Sequence, residues 1–171
     1  MKKFFWTMCA IILATTSCQI GGDDDGGTSG GGSSNSSKNG YEVGQLYESG
    51  SVKGVVFQVD SKGKHGKIVS LTESGNTMTW DDARAWCNGQ GEGWYLPTLD
   101  ELWVIYRKKK AINKTLEEVK GAKVLSDYDY WSSDENENDD EQAYTFDMQD
   151  SNTYSTYKNN AWVYVRAVRA F

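Results

Sequence analysis

The sequence predicts an α+β domain with antiparallel sheets and two to three helices, after a disordered N-terminal tether. Strand-like runs separated by glycines fill residues 41–72. Two helix-start signals then follow within residues 79–110, and strand-like runs separated by polar loops return after residue 123. Because strands and helices are segregated along the chain rather than alternating, an α+β arrangement is favoured over a parallel sheet with crossover helices.

Residues 41–48, 53–60 and 67–72 are predicted as strands, with Gly50, Gly63 and Gly66 marking the turns. The runs at 54–59 and 68–71 are almost wholly apolar. A strand with water on one face normally alternates polar and apolar residues. We therefore expect these two runs to form the middle of the sheet.

A first helix is predicted from Thr79, which stands three residues before Asp82 in a pairing that resembles a capping box. Apolar residues then recur at helical spacing on one face: Trp80, Ala83, Trp86 and Cys87. The glycines at positions 89, 91 and 93 end the pattern.

A second helix is predicted from Thr98, directly after Pro97, the only proline in the chain. Thr98 and Glu101 form a capping box, in which a hydroxyl and a carboxylate satisfy free N–H groups of the first turn. The face predicted to be buried carries Leu99, Leu102, Trp103 and Tyr106. Basic residues 107–110 are placed at the C-terminal end, where the helix dipole is negative, and a third short helix is expected over residues 113–119.

Four further strands are predicted at residues 130–133, 142–149, 153–158 and 162–171. Asp150-Ser151-Asn152 has the composition of a hairpin turn.

The N-terminal residues are typical of an exported lipoprotein. Residues 1–17 are typical of a signal peptide, with a charged start, an apolar run and small residues before Cys18. The apolar run of about ten residues is too short to span a bilayer, which needs about 20. We expect lipid on Cys18; the alternative is an ordinary signal peptide cleaved near Ser17. Residues 18–40, rich in Gly, Ser and Asp, are predicted to be a disordered linker, and residues 41–171 one domain.

The run of aspartates at 23–25 resembles a signal for the outer face of the outer membrane; the alternative is a solubilising acidic patch in the linker. The expected location is therefore the outer membrane, surface-exposed and lipid-anchored.

Composition excludes several functions. Removal of Lys2 and Lys3 with the signal leaves 16 basic and 24 acidic residues, a net charge of −8, which argues against nucleic-acid binding. Cys87 would be the only cysteine of the folded part, so no internal disulfide is expected, and we interpret it as a small buried helix residue. His65 is the only histidine in the chain and lies in a predicted turn.

Three motifs in order resemble a known family. They are GW-x-LPT-x-x-EL at 93–102, WSS at 131–133 and VR-x-V at 165–168. Together they resemble the C-terminal domain of collagen-like bacterial adhesins, a C-type-lectin-like family. The resemblance implies a C-type-lectin-like fold in which the first and last strands pair and a long, irregular insertion carries the ligand surface.

The acidic run at 134–141 includes a partial calcium-loop pattern. Asp134, Asn136 and Asn138 alternate as in the first half of such a loop, whereas Asp139 and Thr145 break the second half. A calcium ion on these three residues is one hypothesis and a solvated loop is the other; no further cofactor is expected.

Basic residues 107–110 with Lys114, Lys120 and Lys123 offer either a patch for acidic glycans or a solvated helix end.

Residues 134–164 mix Asn, Asp, Ser, Thr and Tyr, a composition suited to adaptable recognition. The stretch also resembles the variable region of lectin-like proteins diversified by retroelements, although its Glu, Gln, Lys, Met and Trp residues are not products of that mechanism. A polar hairpin surface without one ligand is the alternative. The candidate ligand-binding residues are Asn136, Asn138, Tyr144, Asn152, Tyr154, Tyr157, Asn159, Asn160 and Trp162.

The leading functional hypothesis is a lipid-anchored surface module that binds a glycan or a surface protein and is not an enzyme. The first alternative is a structural subunit of a surface assembly, which would self-associate through an exposed sheet edge. The second is an enzyme, because formylglycine-generating enzymes resemble this family. Those enzymes use a pair of cysteines, however, and this domain has only Cys87. The oligomeric state is left open.

Overall fold

The computed structural model describes residues 40–171, so the predicted signal peptide, Cys18 and the linker up to residue 39 lie outside the described residues. The elements are β1 (Leu46–Ser49), β2 (Val52–Val59), β3 (Gly66–Ser70), α1 (Trp80–Asn88), β4 (Trp94–Tyr95), α2 (Leu99–Glu118), β5 (Asp129–Glu135), β6 (Gln142–Asp147), β7 (Thr153–Tyr157) and β8 (Val168–Ala170). The predicted α+β class with antiparallel sheets is confirmed.

The strands form two antiparallel sheets. One has five strands in the order β1-β2-β3-β8-β4, and the other has three in the order β5-β6-β7. β2 and β3 lie inside the larger sheet, as their apolar sequences predicted. The expectation that the first and last strands pair is wrong, because β8 pairs with β3 and β4 whereas β1 pairs with β2. β1 is also shorter than predicted, since regular strand structure begins only at Leu46.

The two faces of the central strands pack into two separate cores. On β2, Val55 and Phe57 join the core under α2, and Val56 between them joins the core under α1. On β5, Tyr130 and Trp131 divide in the same way. Because neighbouring side chains of a strand point to opposite faces, a strand covered on both faces must be apolar throughout. This explains the continuous apolar runs.

The first helix begins as predicted at Thr79, whose hydroxyl accepts a hydrogen bond from the Asp82 N–H and donates one of 2.7 Å to the Asp82 carboxylate. Trp80, Ala83 and Cys87 are buried and Trp86 is half-buried. The face predicted from periodicity therefore packs against the sheets.

The second helix is longer than predicted. α2 runs without a break for 20 residues, so basic residues 107–110 lie in its middle and residues 113–118 extend it instead of forming a third helix. Ile112 and Leu116 continue the buried stripe of Leu102 and Ile105. The continued stripe, buried against the sheet, holds the helix together beyond the basic run. Trp103, predicted on the buried face, is 46% exposed.

No helix among residues 40–171 has the length and apolarity to cross a membrane.

Glu101 is the point where three elements are joined. One carboxylate oxygen accepts from the Thr98 N–H at 2.9 Å and completes the capping box, and the other accepts from Lys67 Nζ on β3 and the Tyr95 hydroxyl on β4, both at 2.7 Å. Glu101 is only 6% exposed. Burial by itself would raise the pKa of Glu101, but the Lys67 ammonium, the Thr98 N–H and the Tyr95 hydroxyl outweigh it and lower the pKa.

Arg166, the arginine of the VR-x-V motif, is 1% exposed and donates one hydrogen bond of 2.7 Å to the Lys123 carbonyl. Among the described residues, its Nε and Nη1 groups have no partner. Burial lowers the pKa of Arg166 to about 10, although the nearby Tyr130 and Glu73 act in the opposite direction. The arginine fastens the segment before β8 to the loop after α2.

We predict that Glu101→Gln lowers the free energy of unfolding by about 2 kcal/mol at pH 7, because the amide keeps the cap but leaves the Lys67 ammonium without its charged partner. The folded-state pKa of Glu101 lies below the ordinary 4.5, so its stabilisation is present above pH 4.5 and is lost as the pH falls through the lowered value. Urea unfolding at a series of pH values should therefore show the two proteins converging below pH 4.5.

Glu117→Gln, an exposed change on the same helix, is the matched control and should alter stability by less than about 0.5 kcal/mol. A constant difference between wild type and Glu101→Gln at every pH would contradict the assigned role of the charge.

Candidate functional site

The hairpin of β6 and β7 contains the most exposed strand in the C-terminal part of the chain, because every residue of β7 except Thr156 is exposed, whereas β6 is half buried. Its turn is closed by a hydrogen bond of 2.9 Å from the Asp147 N–H to the Asn152 carbonyl. Ser151 has a φ of +64° in this turn, and the Asp150 carboxylate accepts from the Asn152 N–H at 3.0 Å. These contacts confirm the predicted turn at 150–152. A short polar side chain that bonds nearby backbone groups favours this conformation.

The structure distributes the nine candidate ligand-binding residues along this hairpin instead of gathering them into one patch. Asn136 and Asn138 lie in the loop between β5 and β6, and Asn152 lies in the turn at the opposite end of the strands. Tyr144 is on β6, Tyr154 and Tyr157 are on β7, and the last three follow β7: Asn159, Asn160 and Trp162.

The two tyrosines of β7 point to opposite faces of the sheet. Tyr154 lies opposite Thr145, whose side chain is 1% exposed and packs toward the core. Tyr157 lies opposite Gln142, on the same face as Tyr144 and Ser155. Tyr154 is nevertheless 47% exposed and Tyr157 55% exposed, because β7 is an edge strand. Each tyrosine therefore borders the same free edge from its own side.

Trp162 is the most exposed large apolar side chain of the described residues, at 84%. Its N–H donates to the Asn160 carboxamide oxygen at 2.9 Å, which fixes the backbone while leaving the indole in solvent. The backbone on both sides is held in place. The Lys158 carbonyl accepts a hydrogen bond from the Trp80 backbone N–H at 2.9 Å, and Met78 and Val163 form an antiparallel β-bridge. An exposed indole on an anchored segment suits contact with a partner.

Asp134, Asn136 and Asn138 make bonds that differ from those of a calcium loop. The Asp134 carboxylate accepts from the Leu99 N–H at the start of α2 at 2.6 Å. The Asn136 carboxamide oxygen accepts from the Asn138 N–H at 3.0 Å, and its nitrogen donates to Ser155. No group of three or more His, Cys, Asp or Glu side chains within residues 40–171 is arranged to hold a metal ion. The Asp134 carboxylate thus joins the loop to α2, the Asn136 carboxamide oxygen closes the loop on itself, and the Asn136 nitrogen joins the loop to β7.

The basic residues of α2 also make separate contacts. Lys109 donates to the Ser126 and Met148 carbonyls at 2.9 and 3.0 Å and pairs with Asp127. Arg107 lies over the Trp103 ring, 4.7 Å from its centroid. Residues 107–110 thus lie on the surface of the middle of α2, and Lys109 attaches α2 to the loop before β5 and to the turn after β6.

A shallow cleft of about 460 Å³, which the sequence did not point to, lies between the first turns of α2 and the β6–β7 turn. Its lining combines three apolar and three polar side chains: Leu99, Trp103, Phe146, Asp100, Ser151 and Thr153. The signal that would have found it is Trp103, an aromatic residue next to the polar end of a helix. The cleft adjoins the same hairpin that carries Tyr154 and Tyr157.

Cys87 and His65 both lie outside the hairpin. Burial raises the pKa of the Cys87 thiol to about 12, so the thiol stays protonated at neutral pH. This agrees with its interpretation as a buried apolar helix residue. His65 lies exposed in the turn before β3, where its carbonyl accepts from the Asp60 N–H.

The architecture defines the class of protein: an α+β domain in which residues 40–171 form two antiparallel sheets and two helices, with β7 as an exposed edge strand. A model of the Lcl C-terminal domain matches residues 50–169. The chain therefore belongs to the Lcl C-terminal domain family, which confirms the resemblance carried by the three motifs and supports an adhesin-like surface domain in general terms. No curated protein matches the chain.

We predict that Asp134→Ala lowers the free energy of unfolding by about 1 kcal/mol, because the first-turn N–H of α2 loses its charged acceptor. The loss should be equal in calcium and in chelator, measured by thermal or urea unfolding. Asp140→Ala, an exposed change in the same loop, should have little effect. Stabilisation of the wild type by calcium that disappears in Asp134→Ala would instead identify Asp134 as a calcium ligand.

Proposed function

We propose that this protein is a lipid-anchored surface recognition protein with a C-type-lectin-like domain that binds a glycan or a surface protein through its C-terminal hairpin surface. This surface comprises the nine candidate residues of the β5–β7 region and the segment after it. Lipid on Cys18 and the Gly/Ser/Asp-rich linker would hold the domain outside the outer membrane. The proposal assigns the domain no catalytic role.

The observation that carries the proposal is the exposure of Tyr154, Tyr157 and Trp162 on a domain whose other aromatic residues are mostly packed into two cores. Large aromatic side chains with a polar tip supply much contact area at a low cost in conformational entropy, and they dominate binding at many interfaces. Asparagine and serine side chains beside them add hydrogen-bonding groups. Membership of the Lcl C-terminal domain family supports the adhesin-like setting.

We predict that Trp162→Ala, Tyr154→Ala, Tyr157→Ala and Asn160→Ala each weaken ligand binding, with the aromatic changes costing about 10-fold or more. The full-length chain, purified in mild detergent, would be applied to a broad glycan array and to a panel of surface proteins, in calcium and in chelator. Stability should change little for Trp162→Ala, since its side chain is 84% exposed.

Tyr128→Ala is the matched control, because Tyr128 is 58% exposed but lies outside the hairpin surface. Binding that survives all four hairpin changes, or that is lost equally in Tyr128→Ala, would contradict the proposed surface. If nothing binds and light scattering after size-exclusion chromatography shows defined oligomers, the structural-subunit alternative replaces the proposal.

A further inference from the structure

The edge of β7 presents backbone groups that have no partner strand. β7 is the last strand of the three-stranded sheet and pairs only with β6. The Asp147 N–H donates to the Asn152 carbonyl and the Lys158 N–H donates to the Glu141 carbonyl, so residues 152 and 158 point their backbone groups toward β6. The direction of the backbone N–H and C=O groups alternates along a strand. Those of Tyr154 and Thr156 therefore also point toward β6. Those of the alternate residues point away from β6, toward the free edge: Thr153, Ser155 and Tyr157.

The orientation of β6 agrees with this assignment. The Gln142 N–H donates to the Asp139 carbonyl and the Gln142 carbonyl accepts from the Asn136 N–H, so Gln142 turns its backbone away from its neighbour Tyr157. Tyr157 in turn uses its carbonyl for the Asn160 N–H. Three N–H groups and two carbonyls therefore remain along the free edge.

This edge lacks the features that normally prevent strand addition. The sequence of β7 is Thr-Tyr-Ser-Thr-Tyr, with no charge, no proline and no bulge in its pairing with β6. Protected edges usually carry lysine, proline or a bulge. Tyr154 and Tyr157 border the edge on opposite faces, where each would lie beside an alternate side chain of an added strand.

Both ends of β7 lie in negative surroundings. Residues 134–160 contain one basic residue, Lys158, and eight acidic ones: Asp134, Glu135, Glu137, Asp139, Asp140, Glu141, Asp147 and Asp150. Within the described residues, the only ion pair of this segment joins Lys158 to Glu135. From α1, the charge of Arg84 also acts on Glu135, and from α2, Lys109 donates to the Met148 carbonyl while it pairs with Asp127, so the acidic groups still outnumber these cations. Burial raises the pKa of the neighbouring Asp129, and so do the charges of Asp147 and Asp150. The acidic groups stand at the two ends of an uncharged strand.

We propose that the ligand of the hairpin surface is an extended cationic polypeptide that adds to the β7 edge as a fourth strand. Backbone hydrogen bonds to Thr153, Ser155 and Tyr157 would hold it, with basic residues at its ends facing the acidic loop and the acidic turn. A lysine or arginine beside Tyr154 or Tyr157 would also gain a cation–π contact. The inference rests on the proposed recognition function and narrows its ligand to one class.

Charge favours a foreign strand over a second copy of this chain. Antiparallel pairing of two β7 edges would bring the acidic turn of one copy beside the acidic loop of the other, so like charges would meet at both ends. A basic strand replaces this repulsion with attraction. Acidic glycans are disfavoured at this edge for the same reason.

The test uses peptides of about eight residues, long enough to cover the five residues of β7 and both ends. The probe has the sequence Lys-Lys-Thr-Val-Thr-Val-Lys-Lys with blocked termini, and one analogue replaces every lysine by glutamate. A second analogue keeps every side chain but carries N-methyl groups on alternate central residues, which removes backbone donors. We expect the probe to bind the full-length protein about 10-fold or more tighter than either analogue.

Ser155→Pro tests the same edge from the protein side. It removes an outward N–H and fills the space of an incoming strand, while the ladder to β6 stays intact because Ser155 does not donate to it. Ser155→Ala is the matched control, since it loses the hydroxyl contacts with Asn136 and Gln142 but keeps the N–H. We expect Ser155→Pro to weaken the probe about 10-fold and Ser155→Ala less than about 3-fold.

Circular dichroism would first establish that Ser155→Pro is folded; if it is not, the N-methylated peptide decides. Equal binding of the probe and its N-methylated analogue would overturn the inference, because the attraction would then be electrostatic only. Absence of peptide binding, with array ligands that still depend on Tyr157 and Trp162, would overturn strand addition and leave the recognition function standing. Absence of both kinds of binding would overturn both.

Discussion

The buried carboxylate of Glu101 is the constraint on which the arrangement of α2 and the larger sheet depends. The carboxylate caps the first turn of α2 directly after Pro97. At the same time it accepts hydrogen bonds from Lys67 of β3 and Tyr95 of β4. A carboxylate that is 6% exposed is costly unless each oxygen has partners, and here both have them. The start of α2 can therefore occupy only one position on the larger sheet. The cleft and the hairpin beside that position are fixed with it.

Packing on both faces of the central strands completes this arrangement. β2, β3 and β5 each send alternate side chains into the core under α2 and the core under α1. Neither helix can shift without opening a cavity in a core that includes Trp131 or Phe57, both almost fully buried. Buried indole groups keep their hydrogen bonds, since Trp131 donates to the Met78 carbonyl at 2.9 Å and Trp80 to the Ser132 carbonyl at 2.7 Å. The scaffold is thus specified by aromatic packing without a disulfide in the described residues.

The parts of the fold that local chemistry determines were predictable from the sequence, and the parts that distant contacts determine were not. Thr79 and Thr98 mark their helix starts because a cap acts within four residues. The end of α2 depends on the packing of Ile112 and Leu116 against the sheet, which is a tertiary contact. The prediction that the basic run at 107–110 ends the helix was therefore wrong. The partner of β8 is likewise chosen by tertiary packing. On the hairpin, composition identified the segment, but the opposite faces of Tyr154 and Tyr157 follow from strand parity, which requires knowing where β7 begins.

The separation of scaffold and surface has a consequence for recognition. Side chains on β7 are largely exposed, so replacing them costs little stability, whereas the orientation of its backbone is set by the ladder to β6 and by the anchoring of residues 158 and 163 to the start of α1. An edge built in this way keeps its hydrogen-bonding groups in place whatever side chains border it. In the proposed strand addition, affinity would come from the main chain and selectivity from Tyr154, Tyr157 and the acidic ends, and the two would be independent of each other. A surface of this kind can change its preferred ligand by substitution while the two cores and the Glu101 contacts remain as they are.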